Sequence, residues 1–290
     1  MSGGKAWLAY GGVRGFPRLF SSEFVPCCIH QSRLSEDLQI SVSRAGIHAV
    51  EMGRAEDGDA SVFVLVHGLG MSGRYMLPTA RLLSRWGRVY VPDLPGFGRS
   101  AGMSGIPTIP ELADSLAGWM EEKGIVNPVM IGNSLGAQVI VDFAVKHPSR
   151  LAAAVLVGLT IDPEARRVST QIVRLLRDIP REPAALYRIA VTDYFRAGFR
   201  RCLRTLRHAL ADPVADKLPG IQVPVLLVRG ERDPIVPQRW NELAAERITH
   251  ATSVTIPNAA HAVNFNAGEA LVEEVLGFLR GMGKEVPSGM

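Results

Sequence analysis

A chain of 290 residues, 47% of them hydrophobic and 21% charged, can bury a sizeable core and lies outside the compositions of disordered or fibrous proteins. Its net charge of +4 is mild, and no aromatic and basic interleaving or nucleic-acid motif accompanies it, so DNA and RNA are set aside as partners. Three cysteines, Cys27, Cys28 and Cys202, make no disulfide framework; with neither a secretory h-region nor a run of about 18 uncharged apolar residues, a cytoplasmic protein without a membrane span is expected.

Residues 1–36 show no clear period and read as a loosely packed leader of unreadable function. Two short strands follow at 38–43 and 46–52 around the Ala45-Gly46 turn, and then "SVFVLVHG" reads as a continuous apolar strand. A helix-spaced stretch at 75–86, the strand "RVYVPD", a helix at 109–123, the strand "PVMIGNS", a helix at 136–147 and the strand "AAAVLVGL" come next. Strands apolar on both faces, alternating with amphipathic helices, predict an α/β fold with a mostly parallel, doubly wound sheet.

The alternation stops at residues 161–218, which are helix-spaced, Arg-rich and broken by Pro163, Pro180, Pro183 and Pro213. This segment carries eleven Arg and one Lys against seven acidic residues. A basic stretch of this kind attracts an anionic substrate or surface; the plainer expectation is solvated helix faces paired with nearby acids. Strands at 223–230 and 252–257 and helices at 237–247 and 268–281 then resume the earlier pattern. About eight strands are expected, with 37–160 and 219–290 as one core and 161–218 as a helical insertion after the sixth strand.

The chemistry centres on "GNSLG", a G-x-S-x-G pattern between a predicted strand and a predicted helix. Gly132 and Gly136 remove side chains where strand and helix would collide, so Ser134 projects from the turn as a candidate nucleophile. The N–H of Leu135 and one from "VHGLG", by position that of Leu69, are candidate oxyanion donors. A serine hydroxyl needs a base, and the base an orienting acid. In a parallel sheet such groups meet at the carboxyl ends of strands. His261 in "NAAHAVNF" lies at such an end; His67 also does, but sits within the oxyanion turn, where a structural role is expected. Asp233 in "RGERDPIVP" is the favoured acid, with Asp162 as runner-up, Glu231 left open and Asp93 more suited to tying down its own loop.

The ordered set "VHGLG", "VPDLPGFGRS", "GNSLGAQ", "RGERDPIVP" and "NAAHAVNF" resembles the α/β-hydrolase superfamily over residues 38–282. The resemblance implies Ser134 as nucleophile, His261 as base, Asp233 as acid, Leu69 and Leu135 as oxyanion donors, and 161–218 as a cap over the pocket. Epoxide hydrolases and haloalkane dehalogenases of that superfamily carry Asp where Ser134 stands, which sets them aside. The expected activity is cofactor-free and metal-free hydrolysis of a small or medium carboxylic ester. Met71, Tyr75, Phe195 and Val263 are candidate substrate contacts, and the oligomeric state is left open. Two alternatives accompany this reading. One is carbon–carbon bond hydrolysis of a ring-cleavage dienoate, an acid that would suit an Arg-rich cap, although Ala262-Val263 stands where those enzymes commonly have Trp. The other is a non-catalytic ligand-binding protein on the same scaffold.

Overall fold

Side chains alternate across a strand, so an uninterrupted apolar run needs cover on both of its faces. In the computed structural model, which describes residues 39–43, 46–53 and 61–283, such runs form the middle of one eight-stranded sheet. The strands are β1 (Gln39–Val42), β2 (His48–Met52), β3 (Ser61–Val66), β4 (Gly87–Pro92), β5 (Val129–Asn133), β6 (Ala153–Val157), β7 (Val225–Gly230) and β8 (Ala251–Ile256). Their spatial order is β1-β2-β4-β3-β5-β6-β7-β8. The pairs β1-β2 and β2-β4 are antiparallel, and the six strands from β4 to β8 in that order run parallel to one another. The leader expected over 1–36 and the turn residue Ala45 lie outside the described residues.

The alternation resolves into two cores. Val64, Val66, Met130 and Leu227 face one layer with Trp119, Phe143 and Trp240, whereas Phe63, Leu65, Ile131 and Val228 face the other with Met76, Leu83 and Leu271. Helices α1 (Leu77–Leu83), α2 (Ile109–Glu122) and α3 (Leu135–Lys146) follow β3, β4 and β5. The start of α2 is written locally: Thr108 and Glu111 form a capping box, with Pro110 in the first turn, satisfying N–H groups that the helix leaves open. Between β6 and β7 come α4 (Val168–Asp178), α5 (Ala184–Ala197), α6 (Phe199–Ala211) and the short α7 (Val214–Lys217). The remaining helices are α8 (Gln238–Arg247), α9 (Val263–Asn266) and α10 (Gly268–Gly281).

Buried ionic contacts tie the inserted helices to the sheet. Asp193 of α5, 1% exposed, accepts from the Ser72 hydroxyl at 2.5 Å and from Arg74 at 2.6 Å, both on the segment after β3. Asp162, at the start of the insertion, accepts from Arg174 of α4 at 2.9 Å and from Arg239 of α8 at 2.7 Å. Among the described residues no helix is long and apolar enough to cross a membrane.

The packing of α3 on the sheet permits no side chain at its second residue. A Cβ at Gly136 would lie 2.2 Å from the Val66 carbonyl oxygen and 2.8 Å from that of His67, both rigid backbone atoms. Gly136→Ala is expected to destabilise the chain by about 3 kcal/mol or to prevent folding, read as a lowered urea midpoint or loss of soluble protein.

Candidate active site

β5 ends at Asn133 and α3 begins at Leu135, leaving Ser134 alone to reverse the chain. Its φ of 58° and ψ of −116° lie where side-chain-bearing residues are strained. The backbone is held there by the Ser134 N–H donating to Val157 at 2.9 Å and the Gln138 N–H donating to the Ser134 carbonyl at 3.2 Å. Leu135 opens α3, so its N–H is one that the helix itself does not bond.

Asp233 and His261 arrive from the carboxyl ends of β7 and β8. Asp233 Oδ1 accepts from the N–H groups of Ile235 at 2.7 Å and Val236 at 3.0 Å, which aims Oδ2 at His261 Nδ1, 2.7 Å away. With Nδ1 so engaged, Nε2 is left for proton transfer, and it is buried with no hydrogen-bond partner among the described residues. Burial opposes a charge on this imidazole, but Asp233, followed by Asp178 and Glu182, outweighs it and pushes the His261 pKa up to about 9. β6 supplies the floor: at Gly158, φ 56°, a Cβ would meet His261 Cε1 at 2.9 Å.

A cavity of about 210 Å³ brings Ser134 and His261 onto a common wall with Leu69 and Leu135. The loop after β3 lies beside the serine, since a Cβ at Gly68 would sit 3.4 Å from Ser134 Cβ. Most of the remaining lining is apolar and comes from the inserted helices, including Ile172, Leu175, Ile179 and Leu186. Met71 and Tyr75 line the cavity as expected substrate contacts would. Phe195 and Val263 do not: Phe195 is 89% exposed at the far end of α5, and Val263 is fully buried in the core beneath α9. Helical spacing predicted their apolar character, but not which face of each helix meets the cavity.

The other sequence candidates have different duties. His67 Nε2 accepts from the Leu94 N–H at 2.8 Å, so Nδ1 carries the proton and donates to the Gly68 carbonyl at 2.9 Å. Burial lowers its pKa, and the ring stays a neutral brace between two loops. Asp93 accepts from the N–H groups of Gly73 and Arg99, Asp162 is neutralised by two arginines, and exposed Glu231 accepts from the Asn258 N–H.

Asn133, Asp178 and Glu182 were not foreseen, nor was the bracing role of Tyr75. Tyr75, beyond lining the cavity, accepts from the Gly68 N–H and donates to Asn133 Oδ1, each at 2.8 Å, while Asn133 Nδ2 donates to the His261 carbonyl at 3.0 Å. Burial pushes this phenol's pKa far up, so it remains a donor, and the chain of bonds links the β3, β5 and β8 loops. From the insertion, Asp178 accepts from the His261 N–H at 3.4 Å and Glu182 from the Ala262 N–H at 2.7 Å. Burial, opposed by His261 and reinforced by Glu182 and Asp233, pushes Asp178 up to about 7. The sequence sign of this pair is two acids four apart in an otherwise Arg-rich stretch, a pattern equally typical of a solvated helix.

Comparison with known proteins gives a family and several hydrolase relatives. The sequence model of a family described as "Alpha/beta hydrolase family" matches residues 63–274. RutD of Caulobacter sp., a candidate carbamate hydrolase, is 28% identical over 260 residues, covering 81% of this chain and 95% of the relative. The pimeloyl-[acyl-carrier protein] methyl ester esterase of Pectobacterium carotovorum is 27% identical, covering 74% of this chain and 92% of the relative. Among solved structures, a thermophilic esterase from Thermogutta terrifontis superposes with a TM-score of 0.68 at 26% identity, covering 84% of this chain and 97% of that one.

Two outcomes test the geometry. In a histidine NMR titration, His261 should deprotonate near pH 9, and Asp178→Asn should lower that midpoint because a nearby negative charge is lost. Tyr75→Phe leaves the Gly68 N–H and Asn133 Oδ1 without their buried partner, at a cost of about 1–3 kcal/mol in urea unfolding.

Proposed function

Because the chain belongs to the alpha/beta hydrolase family, we propose that it is a serine hydrolase that cleaves a small or medium, uncharged carboxylic ester through an acyl-enzyme. One observation carries the reading. The strained Ser134 lines the same cavity as a buried His261 whose Nδ1 is bonded to Asp233 and whose Nε2 has no partner among the described residues.

In this mechanism Ser134 Oγ attacks the ester carbonyl as His261 Nε2 takes its proton. The carbonyl oxygen gains charge and is held by the N–H groups of Leu69 and Leu135. His261 returns the proton to the departing alkoxide, then takes one from water as that water attacks the acyl group. Asp233 keeps the imidazole in the tautomer that exposes Nε2 and stabilises the imidazolium formed in each half. The serine proton thus leaves with the alcohol, and the proton taken from water passes from His261 to Ser134 Oγ as the acid departs, so Ser134 and neutral His261 are restored with no cofactor.

The inserted helices act as a cap that selects the substrate by shape and charge. Among the described residues, Asp178 and Glu182 are the only acidic or basic side chains on the cavity wall besides His261, and none of the arginines lines it. That charge pattern favours a neutral ester over an anionic dienoate, whose carboxylate would be buried against two acids. The esterase named among the relatives and the esterase among the solved structures are in keeping with this choice.

Ser134→Ala is expected to lower p-nitrophenyl butyrate turnover on the order of 10³-fold or more with an unchanged thermal midpoint, and to abolish labelling by a fluorophosphonate. Turnover retained by the variant removes the assignment; a folded wild-type protein that neither turns over esters nor takes the label favours a ligand-binding role. For the wild type, kcat/KM should rise with pH along a limb set by His261, since only the neutral ring accepts a proton, and the limb lies above the usual histidine range.

A further inference from the structure

Helix α4 exposes apolar side chains both along the cavity, at Ile172 and Leu175, and away from it, at Val173 and Leu176. Its buried residues are Gln171 and Asp178, while Ile172, Val173, Leu175 and Leu176 face solvent, followed by exposed Ile179. The trend continues through the rest of the insertion, where Val191 is 71%, Phe195 89% and Phe199 82% exposed. Among the described residues, eight of the thirteen exposed large apolar side chains fall between 172 and 199. Apolar surface so concentrated marks a contact with something other than water.

The charges around it have one sign. Arg177, Arg181, Arg188, Arg196, Arg200 and Arg204 are all exposed, and none forms an ion pair with an acid among the described residues. The acids of residues 165–211 are Asp178, Glu182 and Asp193, and not one of them is exposed. The pairing of arginines with nearby acids expected from the sequence therefore fails here: the acids face inward and the arginines stand alone. An ordinary solvated face intersperses both signs; this one offers only hydrocarbon and guanidinium.

We propose that this face of the insertion docks on an anionic lipid bilayer, with Leu176, Val191, Phe195 and Phe199 entering the acyl boundary and the arginines meeting headgroup phosphates. A second copy of the chain is a poor occupant, because an isologous contact would bring arginine against arginine. Single protruding apolar side chains spread over helices α4 to α6, with Phe195 on α5 and Phe199 on α6, suit a fluid surface, which moulds to them. The face also adjoins the cavity: Ile172, Leu175 and Ile179 are both exposed and part of its lining, so an apolar path leads from the docked surface inward.

Co-sedimentation of the full chain with vesicles tests this without any substrate, so its outcome is separate from the fate of the hydrolase reading. The chain should pellet with vesicles of equal parts phosphatidylcholine and phosphatidylglycerol at low salt, and stay in solution with phosphatidylcholine alone. Arg196→Glu with Arg200→Glu, and separately Phe195→Ser with Phe199→Ser, should each weaken binding by about tenfold or more at an unchanged thermal midpoint. Should either pair lower that midpoint, Leu176→Ser with Val191→Ser replaces it. A wild-type chain that ignores anionic vesicles overturns the proposal. So does binding that the Phe replacements leave intact, which is the behaviour of bare charge adsorption or of a face for a soluble acidic polypeptide.

Discussion

The turn at Ser134 depends on the contact of α3 with β3, where Gly136 lies against the Val66 carbonyl and even a methyl group would collide. That approach allows one residue to join β5 to α3, and the joining residue, Ser134, takes up the strained backbone that the short connection demands. Strain at one residue, of order 1–3 kcal/mol, is tolerated because the flanking strand is buried throughout and α3 is buried from Leu135 to Ala144, so neither can relax toward it. A larger residue at 136 would push the helix outward and remove the reason for the turn.

Around that turn the polar groups are held by neighbours whose own bonds are complete. Asp233 is fixed by two backbone N–H groups before it reaches His261. Tyr75 and Asn133 join the loops after β3, β5 and β8 in a single run of hydrogen bonds. Asp178 and Glu182 hold the backbone of the His261 loop from the opposite side, so the inserted helices take part in shaping the site as well as covering it. Two carboxylates beside an imidazole in an otherwise apolar cavity also explain why the ring's proton affinity is raised despite its burial.

Electrostatics divide the insertion into an inner and an outer surface of opposite character. Between residues 165 and 211 the acids face the cavity or the sheet, whereas Arg177, Arg181, Arg188, Arg196, Arg200 and Arg204 face outward among exposed aliphatic and aromatic side chains; the exposed acids Glu164 and Asp216 lie at the two ends of the insertion. The division bears on substrate choice within and on contacts without, and the two need not concern the same molecule. The neutral ester proposed as substrate would meet the inner surface, and the anionic bilayer proposed as partner the outer one.

Local signals sufficed where physics is local. Uninterrupted apolar runs can only be strands covered twice, and "GNSLG" between such a run and a helix pattern marks the turn at Ser134, because glycine spacing and strand termination are properties of neighbouring residues. The parallel sheet follows from the same alternation, and its carboxyl edge drew attention to Asp233 and His261. Folding alone decided matters that depend on direction in space. Phe195 and Val263 have the right chemistry for a pocket wall, yet one points to solvent and the other to the core. The joining of Tyr75 to Asn133, 58 residues apart, and of Asp178 to His261, 83 apart, is a result of packing that no periodicity encodes. A helical repeat reports that a face is apolar; only the placement of the whole helix reports what that face meets, and in α4 Ile172 and Leu175 line the cavity while Val173 and Leu176 look out.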